Sequence, residues 1–167
     1  MALSEVERKA LLDIVRETIE ARLTGKSIPA LHSCSEVLQE KRGAFVTLKK
    51  HDHLRGCIGY IEARKPLYKI VREMALAAAF DDPRFPPLKS EELKNVAVEI
   101  SILSPLKEVK DIDEIKVGTH GLYITKGFHS GLLLPQVATE YGWDRLTFLQ
   151  ETCYKAGLQR DAWKEKD

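Results

Sequence analysis

Apolar residues recur at three- and four-residue spacing from Val6 through Ala10, Leu11, Ile14, Val15, Ile19 and Leu23. That period predicts an amphipathic helix. Ser4 and Glu7 have the spacing of a capping box, and Gly25 stands where such a helix stops. The pattern lapses over 26–42, a mixed stretch holding Pro29 that reads as loop with one helical turn between Ser35 and Glu40. The period then falls to two. Gly43 to Leu48 predicts a strand, Lys49 to His53 a polar turn, and Leu54 to Ile61 a second strand, together an antiparallel hairpin. Pro66 suits the first turn of another helix, whose apolar face is Leu67, Ile70, Val71, Met74, Ala77 and Ala78 and which ends at Phe80.

Three prolines in Pro83-Arg84-Phe85-Pro86-Pro87 make 81–88 a rigid loop, and 90–93 reads as a short helical turn. Asn95 to Leu103 is the clearest strand, with Val96, Val98, Ile100 and Ile102 on one face and Ala97, Glu99, Ser101 and Leu103 on the other. A charged connection follows, with a helical turn at Asp111 to Ile115. Gly121 to Leu134 then predicts a hairpin turning at Lys126-Gly127. Pro135 opens a helix through Glu140; Asp144 caps a last one, Arg145 to Ala156, stopped by Gly157. Trp143, Phe148 and Leu149 are the expected anchors of these helices. Strands arrive in hairpin sets and do not alternate one-for-one with helices, so the class is α+β with a mainly antiparallel sheet and flanking helices.

Composition narrows the function classes without choosing one. A chain of 167 residues with 44% hydrophobic and 31% charged residues fills one core or two small lobes. A net charge of +1 nominates neither nucleic acid nor an acidic membrane as partner. Cys34, Cys57 and Cys153 form no Cys-x-x-Cys pair, which argues against a disulfide framework or structural zinc and suits a reducing cytoplasm. No apolar run approaches the roughly 20 residues of a membrane span, and the start of the chain reads as a helix and not a signal peptide.

The stretch Leu54-Arg55-Gly56-Cys57-Ile58-Gly59 carries the candidate chemistry. Strand alternation puts Arg55, Cys57 and Gly59 on one face, with arginine and thiol about 7 Å apart at Cα. The absent side chain at Gly59 is expected to leave open space beside the thiol. A guanidinium there can bind an anion or favour thiolate; the plainer reading is a buried cysteine and a structural arginine. Glu99, a carboxylate in an apolar strand, calls for a partner, and Arg55 is the candidate if the two strands are neighbours. Asp82 and Arg84 offer a second carboxylate and guanidinium, or only a local ion pair in a stiff connector. A cysteine–histidine hydrolase would need Cys57 as nucleophile, His51, His53 or His120 as base, and Arg55 or main-chain amides for the oxyanion. His51 and His53 could hold a metal with Glu99 or Asp82 as third ligand, but two histidines are a weak signal, so no metal or other cofactor is assigned.

Several motifs together resemble the AMMECR family, named for a human chromosomal region linked to Alport syndrome and elliptocytosis. They are Leu54 to Gly59, Ala78-Ala79-Phe80, Asp82 to Leu88, Val98 to Pro105, Gly131 to Ala138, Gly142-Trp143-Asp144 and Thr152 to Leu158. The resemblance implies one domain over 1–167 with two unequal subdomains around a cleft. It also implies an unestablished biochemical function and a functional Leu-Arg-Gly-Cys-Ile-Gly motif. In prokaryotes the family travels with Memo-like and radical-SAM proteins, which suggests an accessory or binding role beside such partners. The alternative is a Cys57-dependent enzyme acting on a small or nucleotide-like anionic substrate. On either reading the expected site is Cys57 with Arg55, Gly56, Gly59, Asp82, Arg84 and Glu99. Two departures stand out: His129 occupies a position where the resemblance implies a larger basic residue, and the chain ends soon after Trp163, where relatives continue.

Overall fold

The computed structural model describes residues 3–30 and 35–165, so Cys34 lies outside the described residues. The chain divides into two compact units, residues 1–106 and 107–167, each with its own apolar core.

The first unit is a three-stranded antiparallel sheet with helices on one face. Helix α1 (Glu5–Thr24) begins with the capping box of Ser4 and Glu7 and ends at Gly25, which takes φ 70°. Its buried residues Leu11, Ile14, Val15, Thr18 and Ile19 repeat at helical spacing, the stripe its apolar period predicts. A single turn, α2 (Glu36–Gln39), precedes β1 (Ala44–Lys50) and β2 (His53–Tyr60). The hairpin turns on His51 and Asp52, both at positive φ, which matches the twist a two-residue hairpin loop needs. Helix α3 (Leu67–Leu76) starts after Pro66 and runs on into a π-helical turn at Ala77–Asp81. The short α4 (Ser90–Leu93) leads into β3 (Val96–Ile102).

Strand order is β2-β1-β3. Ala44, Val46 and Leu48 are fully buried beneath α1 and α3, joined by Leu67, Ile70, Val71, Ala75, Ala78 and Val96. With β1 in the centre, β2 and β3 are not neighbours, so the adjacency that would join Arg55 to Glu99 does not occur.

The second unit builds β4 (Leu122–Lys126) and β5 (His129–Leu133) into a two-stranded hairpin, followed by α5 (Pro135–Glu140) and α6 (Arg145–Lys155). Asp144 caps α6 by accepting from the Thr147 amide. Phe148 is fully buried with Ile115, Leu122, Leu133 and Ala138, and Trp143 and Leu149 pack on them as the sequence predicts. His129 turns its Nδ1 to the Ala156 carbonyl at 3.1 Å, at the end of α6. No described helix is long and apolar enough to cross a membrane.

Candidate functional site

Cys57 sits on β2, an edge strand, and the ladder to β1 decides where its groups point. Gly56 and Ile58 pair with Leu48 and Val46. The Cys57 amide and carbonyl therefore face outward, away from β1, where an edge strand normally leaves them bare. Here they are satisfied by side chains. Asp82 accepts the Cys57 N–H through Oδ2 at 2.9 Å, and Arg84 donates Nη2 to the Cys57 carbonyl at 3.1 Å. The same two residues bond each other, Nε to Oδ1 at 3.0 Å and Nη2 to Oδ2 at 2.8 Å, and the Arg84 amide adds a bond to Oδ1 at 3.1 Å. One carboxylate and one guanidinium thus close the edge of the strand at Cys57.

Asp82 is buried while about half of the Arg84 side chain remains exposed. The Arg84 guanidinium is the main influence holding the Asp82 carboxyl well below its usual range; burial opposes it, and the Cys57 and Arg84 amides reinforce it. The local ion pair suggested by the sequence is present, and it also grips the Cys57 peptide.

The thiol itself is half-buried, and the Thr47 hydroxyl donates to its sulfur at 3.1 Å. Thr47 lies opposite Cys57 on one side and Glu99 on the other, so the three share one face of the sheet. Glu99 pairs with Lys49 at 3.0 Å.

Arg55 is not its partner. The ladder passes from Leu48–Gly56 to Lys49–Leu54 and skips Arg55, a bulge that takes it out of strict alternation. Its guanidinium reaches Glu92 on α4, Nε to Oε1 at 3.2 Å and Nη2 to Oε2 at 3.0 Å, and Lys50 bonds the same carboxylate at 2.9 Å. Arg55 first, then Lys50, hold the Glu92 carboxyl down to about 2. Phe85 joins the two arginines: the Arg55 Cζ lies 6.0 Å and the Arg84 Cζ 5.6 Å from its ring centroid.

Both glycines of the motif are packing positions. A Cβ on Gly56 would stand 2.0 Å from the Ala78 carbonyl oxygen in the π turn. The expected gap at Gly59 is filled: a Cβ there would lie 2.1 Å from the Phe45 ring, which lies over the glycine from the facing position on β1. An aromatic ring covering a strand glycine restores the surface the glycine lacks. Gly59→Ala is therefore expected to destabilise the unit by about 1–3 kcal/mol through overpacking. Combined with Phe45→Ala the cost should fall below the sum of the two single changes; urea unfolding of the four-member cycle reads it, and strict additivity would refute the contact.

Among the described residues of the first unit, no histidine stands beside the Cys57 thiol. His53 lies four residues from Cys57 along β2, about 13 Å of strand, and His51 is in the turn beyond. His120 belongs to the second unit, where its Nδ1 accepts from the Lys116 amide. Among the described residues no three metal-ligating side chains gather at one point. Structure thus brings Cys57, Asp82 and Arg84 into contact, adds Arg55 through Phe85, and leaves Glu99 in the same sheet row but in its own ion pair. Thr47, Phe45, Phe85 and Glu92 are members the sequence reading missed. Phe85 and Glu92 fall in segments whose contacts depend on the bulge and the loop path.

The family model for AMMECR1 matches residues 12–167. A protein from Pyrococcus furiosus is 46% identical over 168 residues, covering 94% of this chain and 80% of its own length. Another, from Methanothermobacter thermautotrophicus, is 46% identical over 172 residues and covers 99% and 90%. The crystal structure of the uncharacterised protein PH0010 from Pyrococcus horikoshii superposes with a TM-score of 0.91 at 41% identity, covering 99% of this chain and 87% of that one.

Proposed function

The chain belongs to the AMMECR1 family, whose members described above are uncharacterised, and from that premise we propose that it is a cytoplasmic binding or accessory protein. Its recognition surface is the patch around Cys57, Arg84 and Phe85. Asp82 and Gly56 hold that patch in place, Arg55 and Gly59 border it, and Glu99 stands in the same sheet row, beyond Thr47 on β3. One observation carries this reading: among the described residues of the first unit, the Cys57 sulfur meets the Thr47 hydroxyl and no histidine. A nucleophilic thiol is commonly activated by a proton acceptor within hydrogen-bond reach, and Thr47 meets the sulfur as a donor. The neighbouring cations are likewise engaged, Arg84 with Asp82 and Arg55 with Glu92. What remains available is shape, the half-exposed Phe85 and the exposed part of the Arg84 guanidinium, which suit recognition better than turnover.

The family's association with Memo-like and radical-SAM proteins makes those the partners to test. Cys57→Ser is expected to retain binding in titration calorimetry against each purified partner. Arg84→Lys, which keeps the charge opposite Asp82 but loses the planar fork, is expected to weaken it about tenfold. Equal loss in both variants would count against a recognition role. The half-buried thiol beside Arg84 is what favours the second reading, a Cys57-dependent enzyme for a small or nucleotide-like anion. Iodoacetamide labelling at neutral pH, mapped to Cys57, separates the two. Labelling much faster than free cysteine would favour the enzyme.

A further inference from the structure

Each edge of the sheet is capped at one residue. On β2 the outward groups of Cys57 are taken by Asp82 and Arg84. On β3 the Leu103 amide donates to the Gly43 carbonyl at 2.9 Å. Ser101, Glu99 and Ala97, in register with Phe45, Thr47 and Lys49, therefore direct their main-chain groups toward β1. Val98, Ile100 and Ile102 direct theirs outward. Among the described residues these outward amides and carbonyls have no partner, and only the Val96 carbonyl is taken, by Arg16 Nη2 at 2.9 Å.

The side chains of Ile100 and Ile102 also line a cavity of about 240 Å3, together with Leu3, Val37, Leu67, Arg8 and Arg42. No acidic residue is among these lining residues. Arg42 commits its Nε and Nη2 to Glu40, whereas the Arg8 side chain has no ion pair or hydrogen bond among the described residues. Among the described residues, an unpaired strand edge, an apolar hollow and a guanidinium without a counter-charge thus meet at the same two isoleucines. In an antiparallel or parallel ladder a residue opposite Ile100 or Ile102 projects its side chain to the same face as they do, which is the side of the cavity.

We propose that this edge binds an extended peptide by strand addition. The peptide's main chain pairs with Val98, Ile100 and Ile102, one apolar side chain enters the cavity, and a carboxylate, terminal or acidic, meets Arg8. The inference does not rest on the Cys57 patch, and each can fail alone.

The test starts with the full chain without ligand. Amide hydrogen exchange read by NMR should show Val98, Ile100 and Ile102 exchanging at least about tenfold faster than Ala97, Glu99 and Ser101. Equal protection along β3 would mean that the edge is already covered and would overturn the proposal. A library of octapeptides with free C-termini is then selected on the protein, and the enriched sequence is resynthesised as the probe. That peptide should slow exchange at Ile100 and Ile102, and Arg8→Glu, an exposed first-turn change that leaves the melting temperature in place, should weaken it about tenfold. Absence of enrichment, binding that leaves the edge amides unprotected, or indifference to Arg8→Glu would each overturn it. So would octanoate occupying the cavity where no peptide does.

Discussion

Gly56→Ala is expected to cost the first unit about 4 kcal/mol or more and to leave little folded protein at physiological temperature. The new Cβ would stand 2.0 Å from the Ala78 carbonyl oxygen. That oxygen is backbone and cannot rotate away, so β2 or the π turn must move. Either movement is expensive, because β2 is laddered to β1 and the buried Ala78 and Ala79 seat the turn in the core. The same turn ends at Asp82, so a shift there also loosens the clamp on Cys57. Urea unfolding measures the loss directly. Gly59→Ala is the internal comparison, because the atom its Cβ meets belongs to a side chain that can turn. A Gly56→Ala protein with an unchanged midpoint would show that the close approach is not a real constraint.

Asp82→Ala comes next, with an expected loss of about 3–4 kcal/mol. The change deletes the acceptor for the Cys57 amide, the Arg84 amide and the Arg84 guanidinium together. Asp82→Asn should cost less, since its carbonyl still accepts while its NH2 meets donors. A loss below about 1 kcal/mol for the alanine variant would sink the assignment of the clamp.

Acid unfolding gives a second signature. Asp82 and Glu92 both have carboxyls lowered in the folded state, so each contributes stability above its unfolded value. That contribution is lost as pH falls: for Asp82 from 3.8 downward, and for Glu92 between 4.5 and about 2. Asp82→Asn should therefore flatten the wild-type decline in stability below pH 4 without affecting its slope above pH 6.

The fold was largely legible from local pattern. The capping box of Ser4 and Glu7, the stop at Gly25, the two hairpins and the Asp144 cap all appear where period and turn chemistry place them. The reason is that each depends on neighbours within a few residues. The site was legible only in part. Cys57, Asp82 and Arg84 do meet, and the sequence marks all three, but the role of each depends on long-range packing. Phe45 covers Gly59 from another strand, which turns an expected opening into a filled one. Glu92, 37 residues along the chain, takes Arg55 because a bulge and the α4 turn bring them together.

The sequence by itself thus determined the elements, the α+β class and the motif that holds the thiol. These follow from periodicity, caps and turn residues, whose energetics are local. Tertiary structure alone decided that β1 separates β2 from β3, that Arg55 and Glu99 go to different partners, and that the motif glycines are points of close contact. Strand order and side-chain pairing across it are set by which apolar faces bury together, and that balance is summed over the whole core and written at no single position. The Leu-Arg-Gly-Cys-Ile-Gly strand is accordingly a clamped edge with a hydroxyl on its sulfur, where alternation predicted an arginine and a thiol beside a gap.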